Sequence, residues 1–497
     1  MSDWLEEHIR TLSNLSGLSL DKARLLFQQD LYIALDPALR QNRTYLLAFS
    51  YAVNLLTRLF PTTRFDEIGG VPHLILPWGG TSPLTRGSRS TDTILVFGKV
   101  STANNASRIV NANCHDWHIY VDLPLDPDLN EDWNPILALA TACYAAARVT
   151  KILLGDAVDG PDRWQPFSIL DFREGRVRFD WEESLPIGDV YLAGVGAIGS
   201  SALLGLAAHG AATGRLILVD HDPLDRSNLG RYSFFDTYDE GHNKAERAKL
   251  RIDGMGLNLT VEAVERRFEN YFDEQQSKNP LFGIPRLLSA PDRRDIRRQF
   301  QSRLPREVWD ASTGPDQVVL HHNRFDPELA CLACIYPEDP IEHAHLRHVA
   351  LTLDISYERV LSGEPITEED AKRIRARYPH LPSESLIGRA FDSLFRELCA
   401  AGRLRGEDMG VLAPFSFISG LAGVLLYFEF VKSLRPDIFG PYQEYNYTQL
   451  NPFFPPNPDF RRLQRSRPGC SCQDRKVRKV FTKIWTDAPK LSTIGQR

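Results

Sequence analysis

Short apolar runs alternate with amphipathic or alanine-rich stretches through most of this chain, and that alternation predicts buried strands linked by helices. Asp189 to Ala193 (DVYLA) reads as a buried parallel strand. The turn Gly194-Val195-Gly196-Ala197-Ile198-Gly199 follows, and the small-apolar segment through Ala211 reads as a helix. A second strand, LILVD, ends on Asp220, and Val308 to Thr313 reads as a further strand carrying an acid near its end. Upstream, Tyr45 to Phe60 predicts a helix, while Asp92 to Phe97 (DTILVF) and His118 to Val121 (HIYV) predict short buried strands. Asn134 to Leu154 predicts a long alanine-rich helix that stops at Gly155. Pro414 to Leu434 has the same character and the same Lys-x-Leu ending, Lys432 matching Lys151, a hint of an internal repeat.

Three polar stretches separate these elements. Asp171 to Glu183 is a charged connector, and Glu338 to Met409 is a helix-rich insert in which Thr367 predicts an N-cap followed by acids. Tyr442 to Pro468, rich in proline and asparagine, predicts an irregular surface strap.

At 497 residues the chain exceeds one comfortable core, so two or three domains are expected. A net charge of -6 gives no broad basic face, which argues against nucleic acid as the main partner. The longest apolar candidate for a membrane span, Phe415 to Val431, is broken by glycines and Glu429, so no membrane segment is expected. The N-terminal MSDWLEEHIR is acidic and amphipathic, unlike a signal peptide. Seven cysteines, an odd count, suit metal binding or catalysis in a reducing cytoplasm better than a disulfide framework.

The turn at Gly194, Gly196, Ala197 and Gly199 carries the first chemistry. Glycines at its first two positions let the backbone turn tightly and approach a phosphate, and the third lets the helix pack close to the strand. Such a loop alone also serves nicotinamide and flavin enzymes. Asp220, Asp222, Asn228, Arg231 and Lys244 follow within a short stretch. Two fixed cations and an amide near a phosphate loop suit a triphosphate whose α-phosphorus is attacked, because negative charge grows there. For either cation alone, a solvated surface charge is the plainer reading.

The order of these residues is specific. Asp220-His-Asp222-Pro-Leu-Asp-Arg-Ser227-Asn228-Leu229-Gly-Arg231, then Gly241-His-Asn-Lys244-Ala245, resembles D-x-D-x-V-x-x-S-N-L-x-R-Q and G-x-x-K-A. That is the signature of the ThiF/MoeB/HesA and ubiquitin-activating-enzyme family, with Leu224 for Val and Tyr232 for Gln. The resemblance implies an α/β fold of two Rossmann-like adenylation-type lobes, the first inactive and the second active. A small helical catalytic-cysteine insert and a structural zinc site accompany them. The implied boundaries are 1–185 for the inactive lobe, 186–337 and 410–497 for the two parts of the active lobe, and 338–409 for the insert.

The resemblance further implies that Asp220 and Asp222 hold ribose and metal-side oxygens of ATP·Mg²⁺, that Asn228 and Arg231 hold phosphates, and that Lys244 holds the β/γ end. In the family, D-x-T-D-N supplies a magnesium acid; here Thr313 stands in that place, which leaves Asp310, or less readily Asp316, and a plain turn cap is the alternative for Asp310. Family dimers send an arginine from the partner lobe into the phosphate site, for which Arg40 and Arg43 are the candidates. The implied partners are a ubiquitin-like protein with a C-terminal glycine carboxylate, a ubiquitin-conjugating-like enzyme and a second copy in a homodimer. The small size resembles bacterial conjugation systems, including those of antiviral defence. Adenylation of a sulfur carrier or peptide without a thioester is the alternative within this chemistry, and a nucleotide-binding pseudoenzyme is the alternative outside it.

Cys331-Leu-Ala-Cys334 and Cys470-Ser-Cys472 are two close pairs, each able to give two thiolates to tetrahedral zinc. Four thiolates leave no open position, so such a Zn²⁺ is a staple. Cys399, flanked by Arg396 and Arg403, stands where the resemblance implies the thioester nucleophile. Nearby arginines favour the reactive thiolate, and a small apolar helix residue is the plain reading. Cys143 reads as core, Cys114 has no supporting motif, and His343, His345 and His348 read as a solvated helix face.

Overall fold

Two β-sheets organise the computed structural model, which describes residues 3–66, 68, 93–99, 108–123, 132–161, 164–338, 344–391, 394–395, 398, 414–440 and 444–487. The first sheet contains β1 (Leu31–Leu35), β2 (Arg64–Phe65), β3 (Thr93–Phe97), β4 (Arg108–His115), β5 (His118–Val121) and β6 (Phe167–Ser168), in the order β2-β1-β3-β4-β5-β6. Its first four strands in that order pair parallel, and β4-β5-β6 pair antiparallel. The second sheet contains β7 (Leu185–Ala193), β8 (Ala212–Val219), β9 (Leu259–Val264), β10 (Arg286–Ser289), β11 (Glu307–Thr313), β12 (Val318–Asn323), β13 (Tyr447–Leu450) and β14 (Arg461–Arg462). Its order is β14-β13-β12-β11-β10-β7-β8-β9.

From β9 to β11 all pairs of the second sheet are parallel, and from β11 to β14 all are antiparallel. Counted from β7, the parallel part runs 3-2-1-4-5, a doubly wound order that reverses between β7 and β10. Ligands of such sheets sit beyond the strand C-termini at that reversal. The glycine turn closes β7 there, and residues 290–292 close β10 beside it.

The halves share one plan. β1 leads into the helix Arg43–Leu59 as β7 leads into Ala197–His209. The helix Pro135–Leu154 falls between β5 and β6, as Ser416–Leu434 falls between β12 and β13. The two Lys-x-Leu helices thus occupy equivalent places, and they pack against each other within one shared core.

Both helices are long and apolar enough to cross a membrane by length and composition, contrary to the expectation drawn from Glu429 and the glycines, yet 89% of each apolar window is buried inside the protein. Glu429 is compensated within the fold by Lys432 at 2.5 Å and by Tyr445, whose hydroxyl donates at 3.0 Å. A buried carboxylate survives only with such partners.

Residues 444–468 are also more regular than the expected irregular strap. β13 and β14 extend the second sheet, because β12 supplies backbone partners that proline and asparagine do not advertise in sequence. Within the insert, the helices Ala344–Leu353, Tyr357–Ser362 and Glu368–Arg377 enclose their own apolar cluster of Val349, Leu353, Ile366, Ile374 and Leu386. Thr367 caps the third helix as expected, its Oγ1 accepting the Asp370 N–H at 3.3 Å.

Candidate active site

At the end of β7 the backbone of Gly194 has φ +91, and a Cβ there would lie 2.7 Å from the Ala290 carbonyl oxygen. A Cβ on Gly199 would lie 2.0 Å from the Gly194 carbonyl oxygen, so the helix sits on the turn at a distance only glycine allows. Gly196 precedes the helix Ala197–His209 and supplies no side-chain cap to its first N–H groups. The Val195 N–H donates to Asp220 Oδ2 at 2.7 Å, and the Asp222 N–H donates to Oδ1 at 2.9 Å. Asp220 therefore fastens the glycine turn to the end of β8. Burial pushes its carboxyl above the usual range although Lys244 pulls it down.

Lys244 opens the helix Lys244–Gly254. Asn243 caps that helix, accepting the Ala245 N–H at 2.9 Å, and its own amide donates to the Asp220 carbonyl at 3.1 Å. This cap aims Lys244 into the protein, where its side chain is 7% exposed and Nζ lies 3.1 Å from Asp222 Oδ2. Burial acts to lower the ammonium pKa, but Asp222, Tyr232 and Asp220 outweigh it and the amine stays charged. Burial likewise opposes ionisation of Asp222, and Lys244 and His221 together hold it below the usual range.

Asn228 and Arg231 come from the 3₁₀ turn Arg226–Gly230. Asp225 and Asn228 form its capping box, the Asn228 oxygen accepting the Asp225 N–H at 3.1 Å. Arg231 follows, with Nη2 3.3 Å from Glu7 of the N-terminal helix Asp3–Ser16 and a buried Nε that has no hydrogen-bond partner among the described residues. Lys244 Nζ lies 5.6 Å from the centroid of the Tyr232 ring, and Arg231 is the chain neighbour of that tyrosine. With side chains 7% and 11% exposed, the two cations are held in the protein rather than spread into solvent.

Sequence reasoning missed Glu7 and His8. His8 Nε2 meets the Gly230 carbonyl at 3.4 Å, a long-range contact with no local signal. Tyr232 was visible only as a departure from the signature.

Two groups of candidates have other partners within the fold. Asp310 is not a free metal ligand: Oδ1 accepts from Ser289 Oγ at 2.6 Å and from the Arg297 guanidinium, and Oδ2 accepts from the Tyr336 hydroxyl at 2.6 Å. The residue is 1% exposed and a buried partner for Arg297. Arg43 pairs with Glu182 of the connector and lies 4.2 Å over the Trp133 ring. Arg40 ends the 3₁₀ turn after β1 and is exposed. Asp316 accepts from the Asn451 amide at 3.1 Å. Cys399, with Arg396 and Arg403, lies outside the described residues.

The four cysteines Cys331, Cys334, Cys470 and Cys472 converge although the pairs are far apart in sequence. Their Sγ atoms are 3.9 Å apart for 331–334, 3.7 Å for 331–470 and 3.6 Å for 334–472. Zinc–sulfur bonds of ~2.3 Å in a tetrahedron require sulfurs about 3.8 Å apart, so this donor set fits zinc. All four are buried, and the Arg467 N–H points at Cys334 Sγ at 3.2 Å, a donor that favours thiolate.

A model of the ThiF family matches residues 176–473. An uncharacterised protein of Sinorhizobium fredii is 27% identical over 321 residues, covering 60% of each chain. The SAMP-activating enzyme E1 of Haloferax volcanii is 39% identical over 80 residues, 16% of this chain and 29% of that protein. The molybdopterin-synthase adenylyltransferase of Salmonella typhimurium is 25% identical over 169 residues, 33% of this chain and 66% of that protein. The chain spans less than two thirds of the length of these curated relatives. A solved structure of Escherichia coli MccB with ATP aligns with a TM-score of 0.36 at 14% identity, covering 68% of this chain and 75% of that one. With the family model spanning more than half of its length and the doubly wound sheet carrying the glycine turn at its reversal point, the chain belongs to the ThiF family.

Proposed function

We propose that this chain uses ATP to adenylate a carboxylate carried by another polypeptide. The observation that carries the proposal is the pair of buried cations, Lys244 at 5.6 Å from the Tyr232 ring and Arg231 next to that residue in the chain, in a fold whose glycine turn opens a helix at the sheet's reversal point. In adenylation a carboxylate oxygen attacks the α-phosphorus and pyrophosphate departs with the electrons of the broken P–O bond. Negative charge builds on the phosphate oxygens, and fixed cations lower that barrier without having to reorganise. Arg231 and Asn228 would bind the phosphates, Lys244 the β/γ end, and Asp220 and Asp222 the ribose and metal-side oxygens. Magnesium, when bound with ATP, neutralises part of the phosphate charge.

The acceptor we assign is a ubiquitin-like protein ending in glycine, supported by relatives named as activating enzymes of that kind. Cys399 would then displace AMP to form a thioester for a conjugating enzyme, in the cytoplasm; a role in antiviral defence rests on the resemblance alone. The lobe 1–185 would be inactive. In support, the turn after β1 contains no glycine, and its Asp36 carboxylate accepts the Ala38 and Lys99 N–H groups at 2.9 Å each, setting a negative charge at that strand end. The lobe 186–337 with 410–497 would be active, 338–409 would bear the nucleophile, and Zn²⁺ would staple residues 331–334 to 470–472.

ATP–pyrophosphate exchange with such a ubiquitin-like protein tests the reading. Exchange should fall roughly 100-fold in Arg231→Ala and Lys244→Ala. Cys399→Ala should keep exchange and lose a reductant-sensitive adduct. Unchanged product formation in Cys399→Ala would favour the sulfur-carrier alternative, and ATP binding without exchange would favour a pseudoenzyme.

A further inference from the structure

The C-terminal helix Arg475–Asp487 has two unlike faces. Inward, Val477, Phe481, Ile484 and Trp485 pack on Leu304, Phe325 and the cysteine cluster. Arg478 also serves the fold, its guanidinium donating to the Phe325 carbonyl at 3.1 Å, and the Trp485 indole donates to the Leu304 carbonyl at 3.0 Å. Outward, Arg475, Lys476, Lys479 and Lys483 are all exposed, with Val480 among them 52% exposed.

Surface cations on two other helices have an acid one turn away. Lys278 pairs with Glu274 at 2.7 Å and Arg373 with Glu369 at 2.9 Å, each one turn away on its own helix. None of the four outward cations of the C-terminal helix has an ion pair among the described residues. They repeat at i+3 and i+4 spacing, so like charges face one another on adjacent turns and repel. From Arg461 to Asp487 there are nine Lys and Arg against two Asp, in a chain whose net charge is -6. No acid among the described residues relieves that repulsion; an external anion would.

The geometry points to this face as the docking surface for an acidic protein that places an apolar side chain against Val480. The apolar centre decides the class of partner. Phosphate backbones and lipid headgroups match the lysines but leave Val480 uncovered, whereas a protein interface has an apolar centre inside a charged rim. The helix aromatics that would stack on nucleic-acid bases, Phe481 and Trp485, are turned inward, with the Phe481 ring 4.8 Å from that of Phe325. The proposal stands independently of the adenylation chemistry.

Fluorescence anisotropy with the full chain tests it, using two 16-residue helical peptides of equal glutamate content, one with two leucines amid the glutamates and one without. A DNA duplex of equal charge and phosphatidylserine vesicles complete the set. The leucine-bearing peptide should bind at least five-fold tighter than the other three probes, and weaken with salt. Lys479→Glu with Lys483→Glu should weaken both peptides at least ten-fold, and the milder Lys479→Gln with Lys483→Gln covers the case in which the reversal impairs folding. Val480→Ser should remove the preference for leucine while leaving the charge-driven part. Stronger binding to DNA or vesicles than to either peptide overturns the proposal, as does peptide binding that both lysine variants leave unchanged at an unaltered melting temperature.

Discussion

Arg231 and Glu7, far apart in sequence, form an ion pair of 3.3 Å in which both side chains are only 11% exposed. The same guanidinium keeps a buried Nε without a hydrogen-bond partner among the described residues. A second anion would satisfy that donor, and it would also compete with Glu7 for the charge. Glu7→Gln preserves shape and removes the competitor, so ATP should bind several-fold tighter by calorimetry, while Arg231→Ala should bind it more weakly. Weaker binding by Glu7→Gln would mean that Glu7 instead orients Arg231 for the phosphate.

His8 makes the same helix sensitive to acid. Burial first, and the nearby Arg231 charge second, push its pKa down to about 3 from 6.5. On acidification the unfolded chain takes up the proton before the folded one does. The stability tied to the neutral ring is therefore present above pH 6.5 and lost as pH falls from there towards 3. At about 1.4 kcal/mol per unit, the full effect reaches a few kcal/mol. His8→Phe keeps a ring against Phe415, whose centroid is 5.7 Å away. It should flatten the fall in melting temperature between pH 6.5 and 5 relative to wild type; equal slopes would refute this account.

Asp310 should behave as the partner of Arg297 and not as a metal ligand. Removing one member of a buried pair strands the other, at a cost of about 3–5 kcal/mol. Urea unfolding of Asp310→Asn should register a loss of that order, with the magnesium dependence of ATP binding unaltered. A stable variant that no longer responds to magnesium would restore the metal role.

The cysteine cluster should contain one zinc per chain by elemental analysis. Cys472→Ser should lower the metal content and the melting temperature together, because a four-thiolate site contributes its binding energy to the fold. Chelation should loosen the helix Arg475–Asp487 first in hydrogen exchange, since its inner face packs on the cluster. Full metal-free stability would show that the four thiols pack as ordinary core.

The sequence by itself determined the glycine turn, the strands around it, the two equivalent apolar helices and the Asp220-to-Lys244 signature. These are local: backbone sterics, apolar periodicity and capping act over a few residues and leave their mark there. Tertiary structure decided what those residues touch. Asp310 reads as a strand-end acid until Arg297, Ser289 and Tyr336 arrive from three other segments to take both oxygens. Nothing near Arg231 in the chain announces Glu7, and nothing in the proline-rich stretch after 442 announces β13 and β14, whose backbone partners come from β12. The two cysteine pairs suggested a cluster, but only packing brought 331–334 against 470–472. The physical reason is common to all: the partner of a buried charge, a sheet edge or a thiol is fixed by how distant segments fill space together.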